Sequence, residues 1–166
     1  MDTFLLAAAT FATGLAAGVY LTFTTLITPG LRDAEPRDGL KGFQTIDRRV
    51  QPNTPSRDWQ PAFWFAIFGS LILGIAALVA GFAQFSATER VLMIVAVVIA
   101  QVTFWIPTGF VILPFNNRVR DLDLDQLGAA EVAEVRADFD RIWGRWNLVR
   151  TIGSAAALAL MIAVLA

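Results

Sequence analysis

Four apolar stretches, each able to cross ~30 Å of hydrocarbon as ~20 helical residues, leave this chain few folds to choose from. They cover residues 4–28, 61–85, 91–113 and 146–166. The first is uncharged and is expected to end at Pro29-Gly30; the second opens with Pro61 at a helix start and holds Trp64, Phe65 and Phe68. The third is expected to end at Pro114, and the fourth carries one charge, Arg150, near its entrance. Within lipid every backbone polar group must find its partner inside the protein, which leaves helices or a closed barrel. Long apolar runs without strand alternation select helices. The expected fold is all-α: a single transmembrane domain over residues 1–166, built as a four-helix transmembrane bundle. The apolar start follows Met1-Asp2-Thr3 and continues to Ile27. A secretory signal has a basic start and a short apolar run, so this one reads as a retained span.

Composition narrows the function classes. Charged residues make up 16% of the chain and hydrophobic ones 56%. A soluble domain carries about 25% charged residues, so the deficit points to the lipid bilayer as partner. A formal net charge of −1 provides no basic footprint for nucleic acid. The chain has no Cys and no His. Disulfides, zinc fingers, thiolate chemistry, haem on a His or Cys ligand and imidazole acid–base work are therefore excluded. A metal site would need carboxylates and amides. Asp121, Asp123 and Asp125 have suggestive spacing but lack the glycine and terminal glutamate of a calcium loop, and read as solvated residues; no metal is expected.

The polar segments are unequal. Spans two and three are joined by only Ser86-Ala87-Thr88-Glu89-Arg90, which makes them antiparallel neighbours. Residues 31–60 and 114–145 are long and hold most of the charge. In the first of these loops Leu40, Phe43, Ile46 and Val50 recur at helical steps, predicting an amphipathic helix on the membrane surface. Leu127, Val132, Val135, Phe139 and Ile142 predict a second helix that runs into span four and extends it beyond the bilayer, with Gly144 as a candidate bend. Of the thirteen Lys and Arg residues, all but Arg90 lie in these two loops or at Arg150 beside them. The positive-inside rule then places both long loops in the cytoplasm and both termini outside, in a plasma (inner) membrane.

Helix association in lipid rests on small residues and interhelical polar contacts. Gly14 and Gly18, then Gly74, Ala77 and Gly81, then the run 153–156 supply small faces. They serve packing within the bundle or, alternatively, a homo-oligomer or membrane-protein partner.

Several side chains are candidates for a site. Gln101, Thr103, Trp105 and Thr108 surround Pro107, which removes a backbone hydrogen bond and crowds the carbonyl of Thr103. Either a kink opens a pocket there, or threonine side chains satisfy it. Tyr20, Thr24 and Thr25 lie at the corresponding level of span one. Arg150 either snorkels to the interface or points inward with Asn147, one turn earlier. Asn116, Asn117 and Arg118 follow span three, and an inward Arg150 could join them in binding an anionic or phenolate oxygen. Trp143 and Trp146 share a helical face, while Trp59 and Trp64 bracket the start of span two. They are interfacial anchors or, alternatively, stacking surfaces for a flat aromatic ligand.

Two ordered motifs add a resemblance. Leu113-Pro114-Phe115-Asn116-Asn117-Arg118-Val119 is similar to the "PLNNRL" signature, and Trp143-Gly144-Arg145-Trp146-Asn147-Leu148-Val149-Arg150-Thr151 to the "WxRWNxxRT" signature, of the anthrone oxygenase-like family. The segments 13–20, 28–32 and 43–49 look like its first half. This family is also catalogued as a domain of unknown function. The resemblance implies a four-span membrane protein and an oxidation of anthrones to anthraquinones by molecular oxygen without metal or flavin cofactor. It puts Asn116, Asn117, Arg118, Trp146, Asn147 and Arg150 on motif positions. The chain departs from the pattern at Leu148, where many relatives have His, and at 50–55, where an Asn-Pro pair is spread over Val50-Gln51-Pro52-Asn53-Thr54-Pro55.

Two functions follow as expectations. One is a cofactor-independent oxygenase acting on a lipophilic aromatic substrate, an anthrone-like polycyclic phenol. Arg150 with Asn147 and Asn117 would stabilise its oxyanion, and Asp47, then Tyr20, would be the candidate base. The other is a noncatalytic membrane subunit or small lipophilic-ligand-binding protein whose charged loops dock a partner.

Overall fold

Thr3–Asp33, Gln60–Gly81, Ala87–Asp121 and Ala129–Leu165 are the four helices long and apolar enough to cross a membrane. We label them α1, α3, α4 and α5, and the surface helix Pro36–Val50 α2. The coordinates are a computed structural model describing residues 3–51 and 60–166, and among these there is no strand. Met1-Asp2, the 52–55 part of the spread Asn-Pro segment and Trp59 lie outside the described residues.

The expected stops at two prolines are overturned. α1 continues through Pro29-Gly30 to Asp33, and α4 continues through Pro114 to Asp121. In both places a π-helical turn comes first, over Phe23–Ile27 and Thr108–Ile112. The Thr28 N–H donates to the Phe23 carbonyl and the Leu113 N–H to the Thr108 carbonyl, five residues back. A proline ring in a regular helix collides with the carbonyl four residues earlier. The wider turn relieves that collision, so the following proline extends the helix. A third π turn, Phe65–Gly69, interrupts α3.

The short connection also moves. α3 ends at Gly81, and Ser86 caps α4, its Oγ accepting from the Glu89 N–H at 3.3 Å while the Glu89 carboxylate accepts from the Ser86 N–H at 2.7 Å. Ser86, Glu89 and Arg90 are thus a reciprocal cap and its first turn, and the true link is the preceding few residues. It still makes α3 and α4 neighbours. α1 packs against α3 and α5, and α4 against α5 and α3, closing the bundle.

At the Ser86 end the core is small and tight. Leu6, Ala9, Met93, Ala96, Ala157 and Met161 are fully buried there. Gly153 lets α4 approach closely: a Cβ at that position would fall 2.2 Å from the Thr103 hydroxyl. Gly14 meets Leu158 at ordinary contact distance, whereas Gly18 has nothing within 4 Å.

The opposite end wears a cap. α2 lies on α5 and on the end of α4, burying Leu40 and Phe43 against Phe115, Val119, Phe139 and Trp143. The amphipathic pattern, expected to face the membrane surface, is thus answered by protein. Gln44 fixes the arrangement where α4 ends by donating to the Val119 and Leu122 carbonyls, each at 2.9 Å, the former also accepting from the Leu122 N–H at 3.3 Å. α5 runs unbroken through Gly144, carrying the cap and the bundle on one rod.

Many loop charges find partners inside the cap. Arg32 pairs with Asp140, Lys41 with Asp125, Arg118 and Arg141 with Asp138, and Arg136 with Asp140. The Lys41 ammonium holds the Asp125 carboxyl below the usual carboxylate range.

Candidate functional site

Between the cap and the tight core the bundle opens into a cavity of about 300 Å³. All three π turns contribute to its wall, through Phe23, Ile67 and Thr108 with Ile112. A π turn inserts one residue and rotates the helix face beyond it, and such turns concentrate at functional sites. Here they set Phe104, Thr108, Ile112 and Asn116 of α4 along one side of the cavity. α1 supplies Val19, Tyr20 and Phe23, α3 supplies Phe63, Trp64 and Ile67, and α5 supplies Trp143 and Arg150. The roof is α2 and its end, with Phe43, Ile46, Asp47, Val50 and Gln51.

This wall is apolar and aromatic apart from a few convergent polar groups, the usual make-up of a small-molecule site. Arg150 is the most unusual of them. It does not snorkel: it is 8% exposed and turned inward. Its Nη2 donates to Asn147 Oδ1 at 2.7 Å, and its guanidinium carbon lies 4.8 Å from the Tyr20 ring centre and 5.6 Å from that of Trp143. Among the described residues no carboxylate forms a salt bridge with it. An ionised group inside a membrane span is costly and marks a functional pathway or ligand site by default.

Asn147 holds that cation in place. Its amide donates to the Tyr20 carbonyl at 3.1 Å and to the Thr24 hydroxyl at 2.6 Å, and Thr24 in turn bonds Thr151 at 2.8 Å. With both amide hydrogens occupied on α1, only its oxygen remains to receive Arg150. Asn147 is not on this cavity's wall and touches it through Arg150. Leu148 is exposed on the outer face of α5.

Asp47 forms the second polar pole. It is 4% exposed, and accepts from Arg120 at 2.8 Å, Asn116 at 3.0 Å and Gln51 at 3.2 Å. A carboxylate has about four acceptor positions, so one remains. Asn116 ties this pole to α5, since its oxygen accepts from Trp143 Nε1 at 3.1 Å. Tyr20 borders the cavity too, and no protein group hydrogen-bonds its hydroxyl among the described residues.

The sequence candidates thus separate. Arg150, Asp47, Tyr20, Asn116 and Trp143 meet around one cavity, with Asn147 behind Arg150. Asn117 and Arg118 turn outward: Asn117 accepts from Arg120 at 2.6 Å, and Arg118 reaches Asp138 at 3.9 Å. Gln101 donates to the Leu71 carbonyl and accepts from Trp105, which is half exposed. Thr103 donates to the Ile99 carbonyl, and Trp146 stands beside Arg145. Of the group around Pro107 only Thr108 borders the large cavity, because residues 101 and 105 lie on another face of α4. Arg120, Gln51, Phe23, Phe43 and Phe104 are site residues that motif reading missed. The i, i+4 spacing of Asn116 and Arg120 was the available signal for one of them. Among the described residues no cluster of His, Cys, Asp or Glu could hold a metal ion.

The family model described as anthrone oxygenase matches residues 59–160, more than half of the chain. That region contains both the Asn116 and Arg150 motifs. No curated protein and no solved structure matches.

Proposed function

The chain is an integral membrane protein of the anthrone oxygenase family, and from that premise we propose that it is a cofactor-independent oxygenase converting an anthrone-like polycyclic phenol to a quinone. The observation that carries the reading is a buried guanidinium, without a carboxylate partner among the described residues, facing an aromatic cavity whose other pole is a carboxylate. A lipophilic substrate reaches such a cavity from the bilayer, stacks between Tyr20, Phe104 and Trp143, and sets its carbonyl oxygen toward Arg150. Asp47 takes a proton from the methylene carbon para to that oxygen. The resulting enolate places its negative charge beside Arg150, which is where preorganised donors lower the barrier most.

The electron-rich enolate passes one electron to dioxygen, and recombination forms a carbon–oxygen bond and a peroxide. Loss of the remaining hydrogen on that carbon with cleavage of the O–O bond gives the second carbonyl and releases water. Anthrone and O₂ become anthraquinone and H₂O, with one oxygen atom in each product and no external reductant. The cap belongs to this reading as the roof that excludes bulk water and fixes Asp47. We place it on the cytoplasmic side of the inner membrane.

The test is direct. Purified protein in lipid nanodiscs is given an anthrone under ¹⁸O₂, and quinone is followed by absorbance and mass. Rate acceleration over the lipid-only background with one ¹⁸O per quinone supports the proposal. Background rate alone, with saturable anthrone binding, would replace it by a lipophilic-ligand-binding protein.

A further inference from the structure

A second cavity, about 20 Å³, lies on the far side of Arg150, toward the tightly packed end of the bundle. Every transmembrane helix contributes to it, and it shares Tyr20, Phe104 and Arg150 with the large cavity. Five hydroxyl-bearing residues line it. The Tyr20 hydroxyl has no protein partner among the described residues, while the four aliphatic hydroxyls all donate to backbone carbonyls: Thr13 to Ala9 at 2.8 Å, Ser70 to Ile67 at 2.7 Å, Thr103 to Ile99 at 2.7 Å and Ser154 to Arg150 at 2.8 Å. With each hydrogen committed, these oxygens offer only lone pairs. Arg150, on the same wall, carries an Nε–H that is buried and without an acceptor among the described residues.

We infer that this cavity is a binding site for a single water molecule, which accepts from Arg150 Nε and donates to the hydroxyl oxygens of the surrounding helices. The volume decides the number, because a water needs about 10–15 Å³ of such space and a second would not fit. The polarity decides the kind. The Arg150 Nε–H and the Tyr20 hydroxyl beside several lone pairs are complementary to water, which both donates and accepts and needs two to four polar partners, and mismatched to an apolar gas. The water gives the guanidinium a second hydrogen-bond partner, at Nε, beside Asn147 at Nη2. Thr13, Ser70, Thr103 and Ser154 are then positioning residues that aim Arg150 at the large cavity. This last step rests on the oxyanion role proposed for Arg150; the water site does not.

Two measurements separate these layers, and neither uses turnover. A structure in nanodiscs at a resolution that shows ordered water should contain one peak within hydrogen-bond distance of Arg150 Nε and of a hydroxyl among the four. Absence of that peak, or Nε turned to a protein acceptor, overturns the site. The second measurement compares binding of ionised 1-naphthol with neutral naphthalene. Ala100→Val, which fills the cavity without removing a hydroxyl, should weaken naphtholate binding roughly tenfold, the effect of losing one charge-assisted hydrogen bond, and leave naphthalene unchanged. Ser154→Ala adds no bulk, guards against a folding failure, and should act in the same direction. Equal effects on both ligands, or no effect on either, would overturn the positioning role.

Discussion

In Arg150→Met an unbranched apolar side chain replaces a guanidinium that is 8% exposed. The substitution removes a charge-assisted hydrogen bond to Asn147, with a typical value of about 1.5–3 kcal/mol. It also removes contacts over the Tyr20 and Trp143 rings, each about 0.5–2 kcal/mol. Against this, a cation with no carboxylate partner leaves the membrane interior, a relief of about 2.5–3.5 kcal/mol on insertion scales. At the midpoints of these ranges the losses exceed the relief by about 2 kcal/mol, so the variant should be destabilised by about 2 kcal/mol relative to wild type. Catalysis has no such compensation. Loss of an oxyanion donor costs about 10²–10³ in kcat. The assay pairs reversible unfolding in mixed micelles, read by tryptophan fluorescence, with quinone formation under oxygen. Wild-type turnover in a folded variant would refute the oxyanion argument. Destabilisation beyond about 4 kcal/mol would show that the guanidinium is kept for structure.

Three further outcomes are expected. Asp47→Asn should keep the cap folded, since an amide retains an acceptor for Arg120 or Asn116, yet lower kcat by about 10²–10⁴ if the carboxylate is the base; unchanged kcat, measured with ¹⁸O incorporation, would move the role to Tyr20. Ile112→Trp places an indole in the cavity wall and should abolish anthrone binding in a fluorescence titration while leaving the helix content by circular dichroism intact. Single cysteines at Ala87, on the Ser86 end, and Ala129, on the cap, should label from opposite sides of the membrane, with Ala129 cytoplasmic; labelling from one side would break the topology.

The helices were legible because lipid enforces length and polarity on a span, and those are properties of short windows of sequence. Their ends were not. Pro29 and Pro114 read as stops by the rule for regular helices, and the π turns that accommodate them have no comparably simple residue signature. The site was half legible for a related reason. Motif spacing identified Asn116, Asn147 and Arg150, but assigning each a direction needs the helix phase, and a π turn changes that phase by one residue. Asn117 and Arg118, neighbours of Asn116 in sequence, face Arg120 and Asp138 instead. The i, i+4 rule could have joined Arg120 to Asn116, whereas nothing local points to Gln44 closing the end of α4.

The position of the cavity follows from how the two ends of the bundle are built. At the Ser86 end, alanines and glycines bring the helices together until Gly153 leaves no room for a side chain beside Thr103. Aromatic side chains take over toward the cap, with Phe23, Phe43, Phe104, Phe139 and Trp143 spacing the helices apart. A bundle that is tight at one end and splayed at the other must enclose space where the regimes meet, unless large side chains fill it. Here the three π turns fall in that zone, and they rotate the faces of α1, α3 and α4 so that the space stays open. Arg150 stands at the transition, bordering the large cavity on one side and the small one on the other. A change at the packing end should therefore be felt at the site. Gly153→Ala, which forces α4 away from α5 at Thr103, should shift Arg150 and weaken naphtholate binding although it touches neither pole of the cavity. Unaltered binding in a folded Gly153→Ala protein would mean that the two ends pack independently.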